Sequence, residues 1–309
     1  MANETTLSTA AEFRLASVIP ELNKILLEEA RPAMVMGQFC TVHDITQSPS
    51  NVVDIPVLND TGASSALSEG SAGSNTAINP TEVSITSAKS VQIYSITDEA
   101  LSSQFWGNVG IGDILNAVIP PEVLQKIYPY IQIGGRALAE AIETSLCALL
   151  GSHTDTVGTS GSDFTHTQFL TAIYELENND AKGRKIAVLH PIQAHDLRVA
   201  LAVGTTSQSP LAAEAGRNFV NDKPEYGFVG NLHGVDVFQS TLVPTANTAA
   251  NRAGGMFIDK WTYGLAIKWF PKIEFERLAA SFLLNVICSV NYGVGEMRDG
   301  FGISIITDA

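Results

Sequence analysis

The sequence predicts an α+β fold, and three patterns in its 309 residues lead to this class. Residues 129–150 repeat apolar side chains at steps of three and four, which is typical of an amphipathic helix. Residues 51–58 and 82–94 alternate apolar and polar side chains, as half-buried strands do. The last third of the chain holds further strand patterns, at residues 257–258, 263–269, 273–277, 282–290 and 301–306. With 45% hydrophobic residues, the chain has enough apolar side chains for a substantial core.

Near the N-terminus, the sequence predicts a short amphipathic helix with a narrow apolar stripe. Leu22, Ile25 and Leu26 fall on one side of this helix, and Pro32 ends it. A stripe of this kind is stable only when another element covers it. The helix packs either on the body of its own chain or on a neighbouring subunit, and both alternatives stay open.

Residues 59–80 separate the first two strand patterns and are dominated by Gly, Ala, Ser, Asn and Thr. Two alternating arms around such a tip predict a long hairpin. A two-stranded hairpin is only marginally stable alone in water, so this one must lean on something outside its own domain. A disordered surface loop is the alternative, but the periodicity of both arms favours the hairpin.

The helix over residues 129–150 is the strongest helical prediction. Pro129 is tolerated in a first helical turn, and Gly151 is typical of a helix end. The pattern puts Leu138, Ile142, Leu146 and Leu149 on the apolar face, and Arg136, Glu140 and Glu143 on the opposite, polar face. Two shorter helices are predicted at residues 165–178 and 191–203, with a buried strand at 185–189 between them.

The composition restricts the class of function. The chain has 32 acidic and 18 basic residues, a formal net charge of −14, so a basic nucleic-acid-binding surface is not expected. Cys40, Cys147 and Cys288 each have apolar neighbours in sequence, which predicts reduced core cysteines. The first residues are polar, and no apolar run approaches the ~20 residues of a membrane span. We therefore expect a protein that is made in the cytosol and has no membrane partner.

Motifs for catalysis or ligand binding do not assemble in this sequence. His190 and His195 are five residues apart, which is not a metal-pair spacing and favours capping or surface roles. The glycines of residues 107–112 are in the wrong order for a dinucleotide fingerprint, and residues 158–162 lack the spacing of a nucleophile elbow. The sequence thus predicts no catalytic residue, no cofactor and no metal.

Two groups in the last third are assigned to packing and contact. Glu274 and Glu276 fall on one face of a strand with Arg277 beside them, which predicts an ion-paired patch between subunits rather than acid–base catalysis. The second group is an aromatic cluster that we expect to be core, with Tyr263 and Trp269 packed against the long helix; its members are Trp261, Tyr263, Trp269 and Phe270.

The order of these elements resembles the major capsid proteins of tailed phages, which have the Hong Kong ninety-seven type fold. A strand runs into His190–Pro191 and a helix, a glycine-punctuated hairpin follows, and a strand bundle closes on Gly-Val-Gly-Glu-Met-Arg-Asp-Gly-Phe-Gly at residues 293–302. The resemblance implies an N-terminal arm (1–42), an E-loop hairpin (43–92), a peripheral domain with a spine helix (93–164 and 251–309) and an axial domain (165–250). It also implies that the hairpin tip contacts neighbouring subunits, through residues such as Asp60, Thr61, Gly62, Ser68, Glu69 and Gly70.

The same resemblance implies a structural protein that assembles rather than an enzyme. Its copies would form hexamers and pentamers of an icosahedral shell, built in the host cytoplasm and expanded on maturation, that encloses double-stranded DNA in the virion without specific binding. Scaffolding protein, portal protein and a possible decoration protein are the implied partners. An encapsulin-type nanocompartment and an enzyme of unknown type are the alternatives.

Some members of this family join their shells by an isopeptide bond from an E-loop lysine. Here no lysine occurs between Lys24 and Lys89, so the tip and nearly all of both arms lack an amine nucleophile. The sequence therefore predicts a non-covalent shell.

Overall fold

The computed structural model describes residues 34–57, 80–97, 121–204, 227–246 and 251–308, which form three sheets. The first sheet has four strands, in the order β1-β10-β11-β4. They are β1 (Thr41–Asp44), β10 (Tyr263–Leu278), β11 (Leu283–Glu296) and β4 (Ala88–Thr97). β1 is parallel to β10, whereas β11 is antiparallel to both of its neighbours. The patterns predicted separately at 263–269 and 273–277 are therefore one long strand.

The second sheet has six strands, in the order β5-β12-β9-β6-β8-β7. They are β5 (Thr156–Val157), β12 (Gly302–Asp308), β9 (Asn251–Ile258), β6 (Lys185–Leu189), β8 (Val235–Gln239) and β7 (Phe228–Leu232). β9 pairs with both β6 and β12, so this sheet joins strands from both sides of the domain boundary expected at residue 251. The division into peripheral and axial domains stays a prediction.

The third sheet is the predicted hairpin. β2 (Val52–Val57) and β3 (Thr81–Thr86) pair antiparallel, from Val52 opposite Thr86 to Val57 opposite Thr81. The strand predicted over residues 82–94 divides at Ser87, beyond which the chain enters β4 of the four-stranded sheet. The division has a local cause, because the N–H and the hydroxyl of Ser87 both donate to the Asn51 carbonyl, at 2.8 and 3.0 Å.

The predicted long helix is α1 (Pro121–Ala148), and it begins eight residues before the predicted start at residue 129. Pro121 holds the first-turn position that we assigned to Pro129, which lies inside the helix instead. With 28 residues, α1 spans about 42 Å at ~1.5 Å per residue. A short 3₁₀ turn, Leu149–Gly151, follows it.

The two shorter helices are confirmed, and their first turns explain where they begin. In α2 (His166–Asn178), the Thr165 hydroxyl accepts from the Gln168 N–H while the Gln168 side chain accepts from the Thr165 N–H. In α3 (Pro191–Gly204), His190 Nδ1 accepts from the Ile192 N–H at 3.3 Å, which is the capping role predicted for this histidine. Among the described residues, no helix is both long and apolar enough to span a membrane.

Two apolar clusters form the core. One lies between α1 and the four-stranded sheet and includes Leu146, Tyr263 and Val286. The other packs α2 and α3 on the six-stranded sheet. All three cysteines are buried and free, as predicted, and burial raises the pKa of Cys288 to about 11 and those of the other two further. The thiols therefore remain protonated core groups at neutral pH.

Predictions for two aromatic side chains and one acidic side chain are wrong. Trp261 and Phe270 are 53% and 52% exposed, although Tyr263 of the same aromatic group is fully buried. Trp261 lies in the turn before β10 under the Arg298 guanidinium, 5.2 Å from its ring centroid. At Phe270 the alternation of β10 is broken, because the register with β11 shifts on both sides of Trp269. The prediction for Glu143 is also wrong, because this side chain is fully buried rather than on a polar face.

Candidate functional site

The buried Glu143 carboxylate holds the segment that leads out of the N-terminal region. Its two oxygens accept the backbone N–H of Met36 at 2.8 and 3.0 Å, in a 3₁₀ turn that runs over Met36–Gln38. Burial raises the pKa of Glu143, and hydrogen bonds from the N–H groups of Met36, Val35 and Gly37 oppose that rise. A buried carboxylate is stable here because backbone donors replace the water that it loses.

The residues after this turn fix the same segment to both large sheets. The ring of Phe39 lies 4.8 Å from that of Phe238, centroid to centroid, and its carbonyl accepts from the Lys260 N–H at 2.9 Å. The Thr41 hydroxyl then donates to the Lys260 carbonyl at 2.5 Å, where β1 begins. The end of the predicted arm is thus part of the core, whereas the residues proposed for its contacts lie outside the described residues: Leu22, Ile25 and Leu26.

The root of the hairpin rests on a floor of glycines in the four-stranded sheet. Ile85 of β3 is 1% exposed, and a Cβ added to Gly264 or Gly295 would lie 2.8 Å from its side chain. A Cβ at Gly293 would lie 2.4 Å from the Thr86 carbonyl oxygen, which is backbone and cannot move aside. These three glycines therefore let β3 approach β10 and β11 more closely than any side chain would allow.

The loop before the hairpin is also tied down. The Lys268 ammonium of β10 donates to the carbonyl of Ser48 and, at 3.0 Å, to that of Ser50. Beyond this root, β2 and β3 alternate between exposed and half-buried side chains, and only Ile85 is buried among them. The predicted tip residues lie outside the described residues: Asp60, Thr61, Gly62, Ser68, Glu69 and Gly70.

The face of the four-stranded sheet that points away from α1 carries the predicted acidic patch. Val286 and Cys288 of β11 belong to the core shared with α1, so the alternate residue Ile287 points to the other face. Ile287 pairs with Ile93 of β4 on one side and with Glu274 of β10 on the other. Ile93 is 52% exposed, so this face combines exposed apolar and acidic side chains.

The patch is ion-paired within the chain. The Lys272 ammonium donates to Glu274 at 2.7 Å and lies 5.2 Å from the Trp269 ring centroid. This hydrogen bond, the largest cause, lowers the pKa of the exposed Glu274. Glu276 accepts from the Asn285 amide at 3.4 Å; of Arg277 only the backbone is described. The structure brings Glu274 and Glu276 onto one face, and their role between subunits stays a prediction.

Sequence reasoning missed two parts of this arrangement. The periodicity of α1 placed Glu143 among the solvated residues, because the spacing of a helix does not show which carboxylate has buried backbone partners. The glycine floor had a visible signal in Gly293 and Gly295, since glycines inside a strand pattern mark close approach of another backbone.

Comparison with known proteins finds similarity in structure alone. No protein-family profile and no curated protein matches the sequence. A solved structure of Mycobacterium phage Che8 matches with a TM-score of 0.61 and 18% identity, over 88% of this chain and 90% of that chain. The capsid of Ralstonia phage GP4 matches with a TM-score of 0.60 and 12% identity, over 89% of each chain. A virus-like particle from Pyrococcus furiosus matches with a TM-score of 0.57 and 8% identity, over 93% and 99%.

These likenesses confirm the predicted fold. The chain has the α+β capsid fold of the Hong Kong ninety-seven type, along nearly its whole length and nearly the whole length of the structures it resembles. The hairpin, the long helix and the two large sheets described above are the parts of that fold which this chain builds.

Proposed function

We propose that this chain is the major capsid protein of a tailed phage and self-assembles into the icosahedral head shell around the double-stranded DNA genome. The observation that carries the proposal is the agreement with phage capsid structures over nearly all of both chains. A fold can serve several functions, so the surfaces must also suit assembly. They do, because the hairpin is fixed at its root and exposed along its arms.

The geometry supports a shell that is held by extended segments. Glu143 fixes Met36, next to the proposed arm, and the glycine floor fixes the root of the hairpin. Two rigid roots let the attached segments reach neighbouring subunits at a defined position and direction. We propose that the arm residues, the hairpin tip and the face with Glu274 and Glu276 make contacts within and between hexamers and pentamers.

Scaffolding protein, portal protein and a decoration protein are proposed partners, and the virion is the proposed location after assembly in the host cytoplasm. The net charge of −14 supports packaging of DNA without tight binding, because like charges repel the polymer from the wall.

A nanocompartment that encloses protein is the second candidate. The match with the Pyrococcus furiosus particle does not favour it over a phage head, because the phage structures match with higher TM-scores and identities. The contents of particles from the native source separate the two, since nuclease-protected genome-length DNA supports a phage head and a defined protein cargo supports a nanocompartment.

The direct test is electron microscopy of the purified full-length chain, expressed with and without co-produced viral assembly proteins. We expect closed shells, or sheets and tubes of hexamers when assembly is incomplete. A monodisperse small oligomer under all of these conditions would contradict the proposal and favour the enzyme alternative.

A further inference from the structure

One histidine and two carboxylates meet where two loops cross, away from the surfaces discussed so far. His153 Nδ1 lies 3.1 Å from Glu296 Oε1 and 3.6 Å from Asp299 Oδ1. One donor atom from each of the three residues lies within 4.8 Å of the other two. Local sequence patterns do not show this cluster, because His153 is more than 140 residues from both acids.

The backbone holds the two loops together. His153 follows the 3₁₀ turn after α1, Glu296 is the last residue of β11, and Asp299 opens the turn before β12. Asp299 Oδ1 accepts from the Thr154 N–H at 2.9 Å, and Glu296 Oε2 accepts from the Ser152 hydroxyl at 2.8 Å. Each carboxylate is thus oriented by a donor from the loop that carries the histidine.

The imidazole of His153 is fixed in orientation. Its Nε2 is 2.5 Å from the hydroxyl of Tyr263, which is wholly buried. A Cβ at Gly302 would lie 2.1 Å from the imidazole, so the ring is packed directly against backbone on that side. Because the tyrosine hydroxyl is neutral, it can either donate to Nε2 or accept from it. In the second case Nδ1 carries a free lone pair toward the carboxylates.

The charges around the ring are unbalanced. Within the described part of the chain, Glu296 and Asp299 have no lysine or arginine partner, and His153 is the sole basic group that contacts them. Two carboxylates held this close repel each other unless a cation lies between them. The side chain of Asp299 is 51% exposed, so an ion can reach the cluster from solvent.

We propose that His153 Nδ1, Glu296 and Asp299 bind a divalent transition-metal ion, with Zn²⁺ or Mn²⁺ as the best-suited class. Ligand atoms about 2.0–2.2 Å from a metal lie about 2.9–3.6 Å from one another in octahedral or tetrahedral geometry. The distances of 3.1 and 3.6 Å fall in this range. The imidazole nitrogen suits Zn²⁺ and the two carboxylates suit Mn²⁺, whereas Mg²⁺ and Ca²⁺ prefer oxygen ligands alone. Tyr263, on the far nitrogen, can accept from Nε2–H and so orient the ring, as outer partners of metal-bound histidines do.

The bound ion stabilises the junction of the two large sheets. Glu296 ends a strand of the four-stranded sheet, whereas the loop with His153 leads into β5 of the six-stranded sheet. A metal that bridges them adds its binding free energy to the folded state. This inference does not depend on the proposed capsid function, because the cluster lies within one chain.

The test uses the full-length protein, treated with chelator and then titrated with ZnCl₂, MnCl₂, CaCl₂ or MgCl₂ by calorimetry and thermal unfolding. We expect one saturable Zn²⁺ or Mn²⁺ site per chain and a rise in Tm, with much weaker effects of Ca²⁺ and Mg²⁺. Titration with Co²⁺ adds a visible absorption band that reports histidine and carboxylate ligation.

Two variants and a control locate the site. Asp299→Asn keeps an oxygen for the Thr154 N–H but removes the charged ligand, and Glu296→Gln does the same for Ser152. Each should weaken Zn²⁺ binding by at least about tenfold, since changes to outer partners alone cost about 10–100-fold. Asp163→Asn, at an exposed acid outside the cluster, should leave binding unchanged. Absence of saturable binding, or binding that neither cluster variant weakens, would overturn the proposal and leave an ion-free hydrogen-bonded link.

Discussion

The carboxylate of Glu143 accepts the backbone N–H of Met36, a residue 107 positions earlier in the chain. The contact is buried on both sides and joins α1 to the segment that leads out of the N-terminal region. Glu143 of α1 thus anchors the 3₁₀ turn at Met36–Gln38, and the contribution of this contact to stability can be measured.

Replacing Glu143 by alanine should destabilise the unassembled subunit by about 1–3 kcal/mol or more, because buried N–H groups lose their acceptor. Glu143→Gln should cost less, since the amide oxygen still accepts from the turn. Urea unfolding of the two variants beside the wild type measures the difference. Equal losses in both would show that the charge, rather than the acceptor, is what the turn requires.

The same residue predicts a pH dependence with a definite sign. Burial raises the pKa of Glu143 above its ordinary value of 4.5, so the folded state binds a proton more tightly than the unfolded state. The contribution of Glu143 to the free energy of unfolding is full below about pH 4.5 and declines as pH rises through the folded pKa. The stability of the wild type relative to Glu143→Gln should therefore fall as pH rises from 4 to 7. A relative stability that rises over this range would contradict the assignment.

Much of this fold follows from local patterns, and the exceptions share one cause. The hairpin arms, α2 and α3 were predictable because their periodicity or capping residues lie within a few positions of one another. Glu143 and His153 were not, because their partners are more than 100 residues away and meet them only after the sheets have formed. The prediction that Phe270 is buried was wrong for a related reason, since the register shifts of β10 depend on its pairing with β11.

The glycine floor under the hairpin predicts a strong position effect for alanine. Gly293→Ala places a Cβ 2.4 Å from the Thr86 carbonyl oxygen, so β3 must move away from the sheet. We expect a loss of about 1–3 kcal/mol in the free energy of unfolding. Gly300→Ala is the matched control, because a Cβ there has no heavy atom within 4 Å and should change stability by less than about 0.5 kcal/mol. Equal effects of the two substitutions would show that β3 does not lie on this floor.

The histidine pair between α2 and the β7–β8 turn should make the subunit less stable in mild acid. His166 Nε2 lies 2.8 Å from His233 Nε2, and burial, with the charge of His233, lowers the pKa of His166. Because the pKa of His166 is lowered, its contribution to stability is present above about pH 6.5. This contribution is lost as pH falls through the folded pKa. Thermal unfolding between pH 7.5 and 5 should show this loss in the wild type and less of it in His166→Gln. His195→Gln, at an exposed histidine of α3, is the control and should behave as the wild type. A loss in His166→Gln as large as in the wild type would contradict the prediction.

Deleting residues 63–74 should separate folding from assembly. The arms β2 and β3 pair with each other and are anchored at the root, so removal of tip residues should leave the body of the subunit intact. The proposed shell should then fail to form, because we propose that the tip contacts other subunits. Thermal unfolding checks the first outcome, and electron microscopy checks the second. Normal shells from the deletion variant would show that the tip has no part in assembly.

The proposed shell should hold together by non-covalent contacts alone. An isopeptide bond from the hairpin requires a lysine amine on it, and the sequence has none between Lys24 and Lys89. Lys89 belongs to β4, opposite Asn291 of β11 in the four-stranded sheet, so it is fixed in the body rather than carried on the hairpin tip. Mature particles boiled in detergent and reductant should therefore give one band near 32.9 kDa on a gel. Particles treated in the same way with an added amine cross-linker serve as the positive control for a ladder of multimers. A ladder without the cross-linker would show that some other pair of side chains joins the subunits covalently.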